Sequence, residues 1–193
     1  MKVIPRSFYM RDVVIVAKEL LGKLLVREID GRLLIGKIVE VEAYRGRDDP
    51  ASHAYKGLTK RNKIMFGKPG IAYIYLAYGV NWCLNVTAEP EGEPAAVLIR
   101  AVEPIKGIDL MKKHRNVSRI KDLTNGPGKL AKAFQIDGSF NGWDLTKGEI
   151  FYIAYPFKED NFEIQSSSRI GIKVGLDKKW RFFIKDNPFV SRR

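Results

Sequence analysis

The sequence predicts an α+β domain built around a largely antiparallel, curved β-sheet or barrel with surrounding helices. Strand-like segments outnumber helical ones. They follow one another through tight turns, without the regular alternation with helices that is typical of parallel sheets. A chain of 193 residues is the size of one domain, so we expect a single unit over residues 1–193.

Three stretches of the chain favour helices. Asp12 is placed to cap a helix over residues 13–23, because its side chain can accept from the first free amides, and Gly22 is placed to end it. The other two stretches are 107–115 and 127–135. The last of them begins with a proline, which is favoured in a first helical turn.

Most of the remaining chain predicts β-strands. Asp30-Gly31 favours a two-residue hairpin turn, and Gly79 marks a second tight turn. The predicted strands cover 23–29, 32–44, 71–78, 80–86 and 95–103, with short strands around Phe151, Ile170 and 181–184. Residues 45–70 lack a periodic pattern, and we expect a loop there.

Charge is the most unusual feature of the composition. Thirty-four Lys and Arg residues against 22 Asp and Glu residues give a net charge of +12 and a pI near 9.7. The basic residues cluster within 55–68, 106–132 and 169–193. Clustered positive charge is typical of proteins that bind nucleic acid, and a basic surface without a specific partner is the alternative.

The composition also argues against several classes of protein. The single cysteine, Cys83, cannot form an intramolecular disulfide, and with only two histidines a zinc site is not expected. No apolar run approaches the ~20 residues that span a bilayer, and residues 1–12 lack the apolar core of a signal peptide. We therefore expect a cytoplasmic protein that needs no cofactor and has no membrane partner.

Several strand and loop residues could carry chemistry. Alternation along IVEVEAY places Glu40, Glu42 and Tyr44 on one strand face, where a carboxylate can lie beside a ring that packs on a substrate. A solvated strand face would show the same pattern. His53, in the predicted loop, could be a catalytic group or simply exposed.

The aromatic residues of the second predicted hairpin have two interpretations. Tyr73 and Tyr75 share one strand face, as core residues often do. Tyr78 lies beside Gly79 at the hairpin tip, where a ring could act as a wedge or a stacking platform for nucleic acid.

Chemistry on a base within duplex DNA requires the base to be flipped out of the stack, which narrows the enzymes that fit this chain. A zinc deaminase needs paired cysteines, a methyltransferase needs a glycine-rich cofactor loop after a strand, and a photolyase needs a longer chain. Hydrolysis of the glycosidic bond needs only a carboxylate, a water and a base pocket, and it survives this elimination.

Ordered blocks of sequence make the chain recognisable. They are VEVEAYRGRDDPASHAY, RNKIMFGKPGIAYIYLAYGVNWCLNV, AAVLIRAVEPIKG and LTNGPGKLAKAF, with RIGIKVG and WRFFIKDNPFVS near the C-terminus. From about Ile4 to Ser191 the chain resembles the alkyladenine (3-methyladenine) DNA glycosylase family. The resemblance implies a monofunctional glycosylase that excises 3-methyladenine, 7-methylguanine, hypoxanthine or ethenoadenine and leaves an abasic site.

The resemblance implies a catalytic pair. Glu42 matches the general base that deprotonates the attacking water, and Arg100 matches the arginine that helps to hold this water. Main chain near Arg169 and Ile170 would assist.

The resemblance also implies a set of DNA contacts. Tyr44, His53 and Tyr75 match the residues that sandwich the flipped base, and Leu98 matches a hydrophobic contact of the pocket. Asn85 matches the residue that clashes with the 2-amino group of guanine. Tyr78 matches the residue that fills the vacated stack from a protruding hairpin in the minor groove. Arg45, Val80 and Asn81 depart from the family pattern beside the pocket and the hairpin tip.

The partners implied by the resemblance are double-stranded DNA with a damaged purine and an abasic-site endonuclease that acts on the product. A monomer associated with the nucleoid is expected. Two alternatives share the fold: a protein that binds damaged bases without releasing them, and an RNA-binding protein.

Overall fold

An eight-stranded antiparallel sheet forms the centre of the computed structural model, which describes residues 1–191. The strands are β1 (Leu24–Ile29), β2 (Arg32–Arg45), β3 (Ala72–Ala77), β4 (Asn81–Thr87), β5 (Ala95–Lys106), β6 (Phe151–Ala154), β7 (Ile164–Ser167) and β8 (Arg181–Ile184). The helices are α1 (Arg6–Tyr9), α2 (Val13–Leu20), α3 (Ile108–Arg115) and α4 (Pro127–Ala133). The last two residues of the predicted 1–193 domain, which also end the third basic cluster, lie outside the described part.

The long strand β2 organises the sheet. The main path runs β3-β4-β5-β2-β1-β6, and β5 follows one side of β2 along most of its length. On the other side, β1 pairs with residues 32–37 and β8 pairs with residues 40–42, while β7 extends the sheet from β8. All these pairs are antiparallel, which confirms the predicted α+β class.

Both predicted hairpins are present. Asp30 and Gly31 have φ values of 49° and 73°, and Tyr78 and Gly79 have φ values of 51° and 73°. Two successive residues with positive φ are typical of the type I′ turns that match the twist of paired strands. The second hairpin ends in an exposed tip, where 88% of the Tyr78 surface is accessible.

The predicted helices form with minor changes in length. The Asp12 side chain accepts hydrogen bonds from the amides of Val14 and Ile15, and α2 ends just before Gly22. The helices α3 and α4 lie within their predicted ranges. The described helices are at most eight residues long, and none of those in residues 1–191 could span a membrane.

The predicted strand around Ile170 is wrong. The strand in this region is β7, which ends at Ser167, and Ile170 lies in the loop over residues 168–180 that joins β7 to β8. Apolar residues alternate in RIGIKVG as they do in a strand, but Gly171 and Gly175 have φ values of 78° and 65°, which turn the chain. The Ile170 amide binds a side chain and not a neighbouring strand.

The two faces of β2 carry different kinds of side chain, apolar on one face and charged on the other. Val39, Val41 and Ala43 belong to the main hydrophobic core, which also contains the buried residues of α2 and α4. Glu40 and Glu42 point to the opposite face and are nevertheless fully buried. The strand therefore carries charged groups in the interior, with the helices behind it.

Candidate active site

A cavity of about 830 Å³ opens on the polar side of β2. Its volume lies within the range of ~300–1,000 Å³ that is typical of small-molecule pockets. The lining comes from the sheet, from the 45–70 segment, from the N-terminus of α4 and from the β7–β8 loop. Most of the residues singled out in the sequence line this cavity: Tyr44, His53, Tyr75, Tyr78, Asn85, Leu98 and Arg100.

One row of side chains crosses five strands and explains how distant parts of the chain meet. The backbone pairing links Tyr73 to Asn85, Asn85 to Leu98, Leu98 to Glu42, and Glu42 to Arg181. Directly paired residues project from the same face of a sheet. The row therefore brings together Glu42, the predicted general base, Leu98, the predicted apolar contact of the pocket, and Asn85, the predicted guanine-excluding residue.

Glu42 is fully buried beneath the cavity and does not line it. Its Oε1 accepts a hydrogen bond of 2.7 Å from the Ile170 amide and lies 3.3 Å from a guanidinium nitrogen of Arg100. Its Oε2 accepts a hydrogen bond of 2.8 Å from the Tyr44 hydroxyl. Since Tyr44, Arg100 and Ile170 all line the cavity, the carboxylate lies directly behind its wall.

Arg100 connects the two carboxylates of β2. Its Nε donates to Glu40 at 3.0 Å, while another of its nitrogens faces Glu42. Burial alone would lower the pKa of the Arg100 guanidinium, but the negative charges of Glu42 and Glu40 outweigh burial and raise this pKa. Arg100 therefore remains a cation in the interior.

Glu40 is more than a neighbour of the predicted base. Besides Arg100, it accepts hydrogen bonds from Arg181 Nε at 2.7 Å and from the Ser191 amide at 2.6 Å and hydroxyl at 2.8 Å. The sequence places Glu40 on the same face as Glu42 but matches it to no role. The structure shows that Glu40 fixes the position of Arg100.

The aromatic residues form the walls of the cavity. The His53 and Tyr75 rings touch, with their centroids 4.6 Å apart, so no base fits between them and they form one wall. The Nδ1 of His53 is hydrogen-bonded to the Tyr73 hydroxyl at 2.9 Å. Of the three residues predicted to sandwich a base, Tyr44 is the one that can supply the other wall.

Burial and neighbouring charges hold these groups in their neutral forms. Burial, with Glu42 beside it, raises the pKa of Tyr44, and burial also raises the pKa of Tyr75. Burial of the ring against the cavity wall and the nearby cation of Arg61 lower the pKa of His53, although the residue as a whole is exposed to the open cavity. The aromatic walls of the cavity, formed by Tyr44, His53 and Tyr75, are therefore uncharged near neutral pH.

Asn85 and Leu98 lie deeper in the cavity. Both are at least 96% buried. The amide nitrogen of Asn85 donates to the main-chain carbonyls of Tyr73 at 3.0 Å and Cys83 at 3.4 Å. These hydrogen bonds hold the Asn85 side chain in one position within the cavity.

The hairpin tip lies at the mouth of the cavity. Tyr78 lines the cavity, and a Cβ placed on Gly171 of the β7–β8 loop would lie 4.0 Å from its hydroxyl. Next to the turn of the hairpin, a Cβ on Gly128 would lie only 2.6 Å from the side chain of Asn81, the first residue of β4. The hairpin is thus supported closely by the N-terminal turn of α4.

Three charged side chains at the site are not predicted by the sequence patterns. Arg61 lies over the Tyr75 ring at 5.2 Å, Arg169 lies over the Tyr44 ring at 4.6 Å, and Asp49 is paired with Arg169. Asp49 and Arg61 belong to the loop without periodicity, and only the main chain near Arg169 was implied. Among residues 1–191, no group of three His, Cys, Asp or Glu residues is arranged to hold a metal ion.

The sequence profile of one family matches most of the chain. Residues 7–188 match the profile described as methylpurine-DNA glycosylase. The chain belongs to the methylpurine-DNA glycosylase family. Membership confirms the resemblance found in the sequence and the prediction of a hydrolytic DNA glycosylase that acts on damaged DNA.

Relatives of similar length support this membership. A protein of Carboxydothermus hydrogenoformans is 51% identical over 98% of this chain and 99% of its own. A protein of Legionella pneumophila (strain Lens) is 50% identical over the whole of both chains, and one of Desulfitobacterium hafniense is 46% identical over 99% of each. All three carry the provisional name 3-methyladenine DNA glycosylase.

Proposed function

We propose that this methylpurine-DNA glycosylase flips alkylated or deaminated purines out of duplex DNA and hydrolyses their N-glycosidic bond. The proposed substrates are 3-methyladenine, 7-methylguanine, hypoxanthine and ethenoadenine, and the product is an abasic site. The observation that carries the proposal is the buried Glu42 carboxylate, which lies behind an aromatic cavity and is paired with Arg100.

Glu42 acts as the general base in this proposal. A carboxylate has about four lone-pair sites, and two of those of Glu42 accept from Ile170 and Tyr44. A further site is therefore free to accept from a water that enters beside Arg100. This water loses a proton to Glu42 and bonds to C1′ of the sugar, while the electrons of the glycosidic bond leave with the base.

The aromatic walls recognise the flipped base by stacking. Tyr44 covers one face of the base, and the wall formed by His53 and Tyr75 covers the other. Stacking on aromatic rings contributes about 1–3 kcal/mol per base, which is comparable with the few kcal/mol that extrusion costs. Selectivity therefore depends on the leaving ability of the base and on steric exclusion of guanine by Asn85, while Leu98 provides apolar contact.

Tyr78 supports flipping from the mouth of the cavity. Its exposed ring at the hairpin tip is suited to enter the minor groove and fill the space that the flipped base leaves. The loss of stacking in the duplex is then partly replaced by stacking on the protein.

Base release from defined duplexes tests the proposal. We expect strand cleavage after alkali treatment of duplexes that carry one hypoxanthine or one ethenoadenine, and of methylated DNA, but not of undamaged DNA. Tight lesion binding without any cleavage would instead indicate the damage-binding alternative. Equal competition by RNA and by lesion DNA would indicate the RNA-binding alternative.

Several expectations concern the setting of this reaction. A monomer matches one flipped base to one cavity, and sedimentation of the free protein and of its DNA complex tests this. An abasic site requires an endonuclease to continue repair, so we expect such an enzyme to act on the product. We place the reaction in the cytoplasm, at the nucleoid, and propose that it needs no cofactor.

A further inference from the structure

A buried ion pair lies next to the catalytic strand. The side chains of Asp49 and Arg169 have no exposed surface, and both oxygens of Asp49 accept from the guanidinium, one of them at 2.7 Å. The two residues are 120 positions apart in the sequence. Burial alone would lower the pKa of Arg169, but the hydrogen bonds and the charge of Asp49 raise it, so this group remains a cation.

The same guanidinium binds three separate parts of the site. It donates to the carbonyl of Ala43, the residue between Glu42 and Tyr44, at 2.9 Å, and to the carbonyl of Gly175 at 3.3 Å. It also lies over the Tyr44 ring at 4.6 Å. Arg169 therefore joins β2 to the β7–β8 loop.

Asp49 attaches the segment that carries His53. Its Oδ1 accepts from the Ala51 amide at 3.1 Å, and its carbonyl accepts from the Ser52 amide at 2.9 Å. His53 follows directly and lines the cavity. The ion pair consequently fixes three pieces that must keep a constant spacing: the base-binding loop, the catalytic strand and the loop of Ile170.

We propose that Asp49 and Arg169 form a positioning pair, which holds the Ile170 amide and the Tyr44 ring against Glu42 and so sets the rate of base hydrolysis. The proposal rests on the function proposed for Glu42. The Ile170 amide that donates to Glu42 belongs to the residue directly after Arg169, so a shift of the guanidinium moves this donor. A misplacement of about 1 Å at a reacting group can cost about 100-fold in rate.

A neutral double variant separates positioning from stability. A single change would leave an unpaired buried charge, whereas replacement of both partners by apolar residues of similar volume is often tolerated. For Asp49→Leu/Arg169→Met we expect a protein that folds like the wild type and still binds duplex DNA. We expect its single-turnover excision rate to fall by about 10- to 100-fold.

The rate–pH profile supplies a readout that a purely structural role would not change. A carboxylate that loses a hydrogen-bond donor accepts a proton more readily, so the acidic limb of the profile should move to higher pH in the double variant. The control is Arg6→Met/Asp144→Leu, which removes an ion pair that does not line the cavity. This control should keep the wild-type rate and profile.

Two further variants keep the outcomes distinct. Arg169→Lys retains the charge beside Asp49, so this variant should remain folded even if the double variant does not. It should also excise faster than the double variant. A wild-type rate and profile in the folded double variant, or an Arg169→Lys variant no faster than it, overturns the positioning proposal. Full activity of Glu42→Gln in parallel would instead overturn the function proposed for Glu42.

Discussion

We propose that the single side chain of Asn85 determines which bases the cavity accepts. Its amide nitrogen is bound to two main-chain carbonyls, and only 3% of its surface is exposed. The side chain cannot rotate without breaking these bonds. A base with an extra amino group at this edge therefore meets a fixed obstacle.

Asn85→Ser should relax this specificity. The shorter side chain leaves space at the edge of the base where guanine carries its 2-amino group. We expect guanine release from undamaged DNA to rise relative to hypoxanthine release, measured as single-turnover rates on matched duplexes. An unchanged ratio would mean that guanine is excluded elsewhere in the cavity.

The pKa of His53 depends on one neighbouring charge, that of Arg61, in addition to burial. Burial and the cation of Arg61 lower its pKa, which favours a neutral ring. We propose that a neutral ring suits the stacking of a flipped base, because several alkylated purines carry a positive charge that a protonated histidine would repel.

Arg61→Gln should raise the pKa of His53 toward its ordinary value, because the removed charge disfavours protonation. NMR titration of the ring proton measures this shift, and a His114→Gln variant assigns the signals, since the chain has only two histidines. A pKa of His53 that stays the same or falls in Arg61→Gln would contradict the electrostatic account.

Among the secondary-structure elements, the β3–β4 hairpin carries local backbone strain at its tip. Its tip places Tyr78 at a positive φ of 51°, where asparagine is more common than tyrosine. The left-handed region costs most residues about 1–2 kcal/mol. An exposed tyrosine in this position adds nothing to the core, which supports a role outside the folded domain.

Tyr78→Asn should therefore stabilise the protein and weaken its function. We expect a gain of up to about 1 kcal/mol in the free energy of unfolding, measured by urea denaturation. Excision should fall more for a lesion in a stable pair than for the same lesion opposite a mismatch, where unstacking is easier. Equal losses in both duplexes would argue against a wedge.

At the scale of the whole molecule, each of the three basic clusters of the sequence contributes one cation to the cavity lining. Arg61 from the first cluster, Lys129 from the second and Lys173 from the third all line the cavity. Part of the positive charge therefore lies at the cavity, where we propose that DNA docks. Neutralisation of phosphates releases counterions, which makes such binding depend on salt.

Affinity for duplex DNA should fall about 500-fold between 50 and 200 mM salt if about five phosphates are contacted. The triple variant Arg61→Gln/Lys129→Gln/Lys173→Gln should show a shallower dependence in fluorescence anisotropy titrations. A matched triple of Lys2, Lys18 and Lys23, of which two line a separate groove and the third lies over Tyr155, should keep the wild-type slope. Equal slopes in all three proteins would remove the electrostatic account.

Local patterns predict the parts of the fold that depend on local interactions. Asp12 caps α2 and Asp30-Gly31 turns the first hairpin because short-range geometry decides both. The β7–β8 loop shows the limit, since alternation around Ile170 favours a strand but a long-range bond to Glu42 fixes its amide.

The site is less accessible to sequence reasoning than the fold. Glu42 and Arg100 were identified through family resemblance, and their contact depends on the pairing of β2 with β5. The Asp49–Arg169 pair joins two irregular segments, and no periodic pattern connects residues 120 positions apart. Tertiary contacts of this kind become visible only in the structure.

The most direct test concerns the carboxylate of Glu42. Glu42→Gln preserves the shape of the side chain but cannot accept the proton of the attacking water. General-base catalysis typically contributes about 10²–10⁴-fold, so single-turnover excision of hypoxanthine should fall by at least about 100-fold. Affinity for the lesion duplex should stay near that of the wild type.

The control for this measurement lies on the neighbouring strand. Glu103→Gln makes the same chemical change on β5, where the side chain contacts Lys37 and Asn187 and not the cavity. Glu40→Gln is unsuitable because Glu40 holds Arg100. We expect slow excision by Glu42→Gln and wild-type excision by Glu103→Gln, and excision by Glu42→Gln at the wild-type rate would contradict the role of Glu42 as general base.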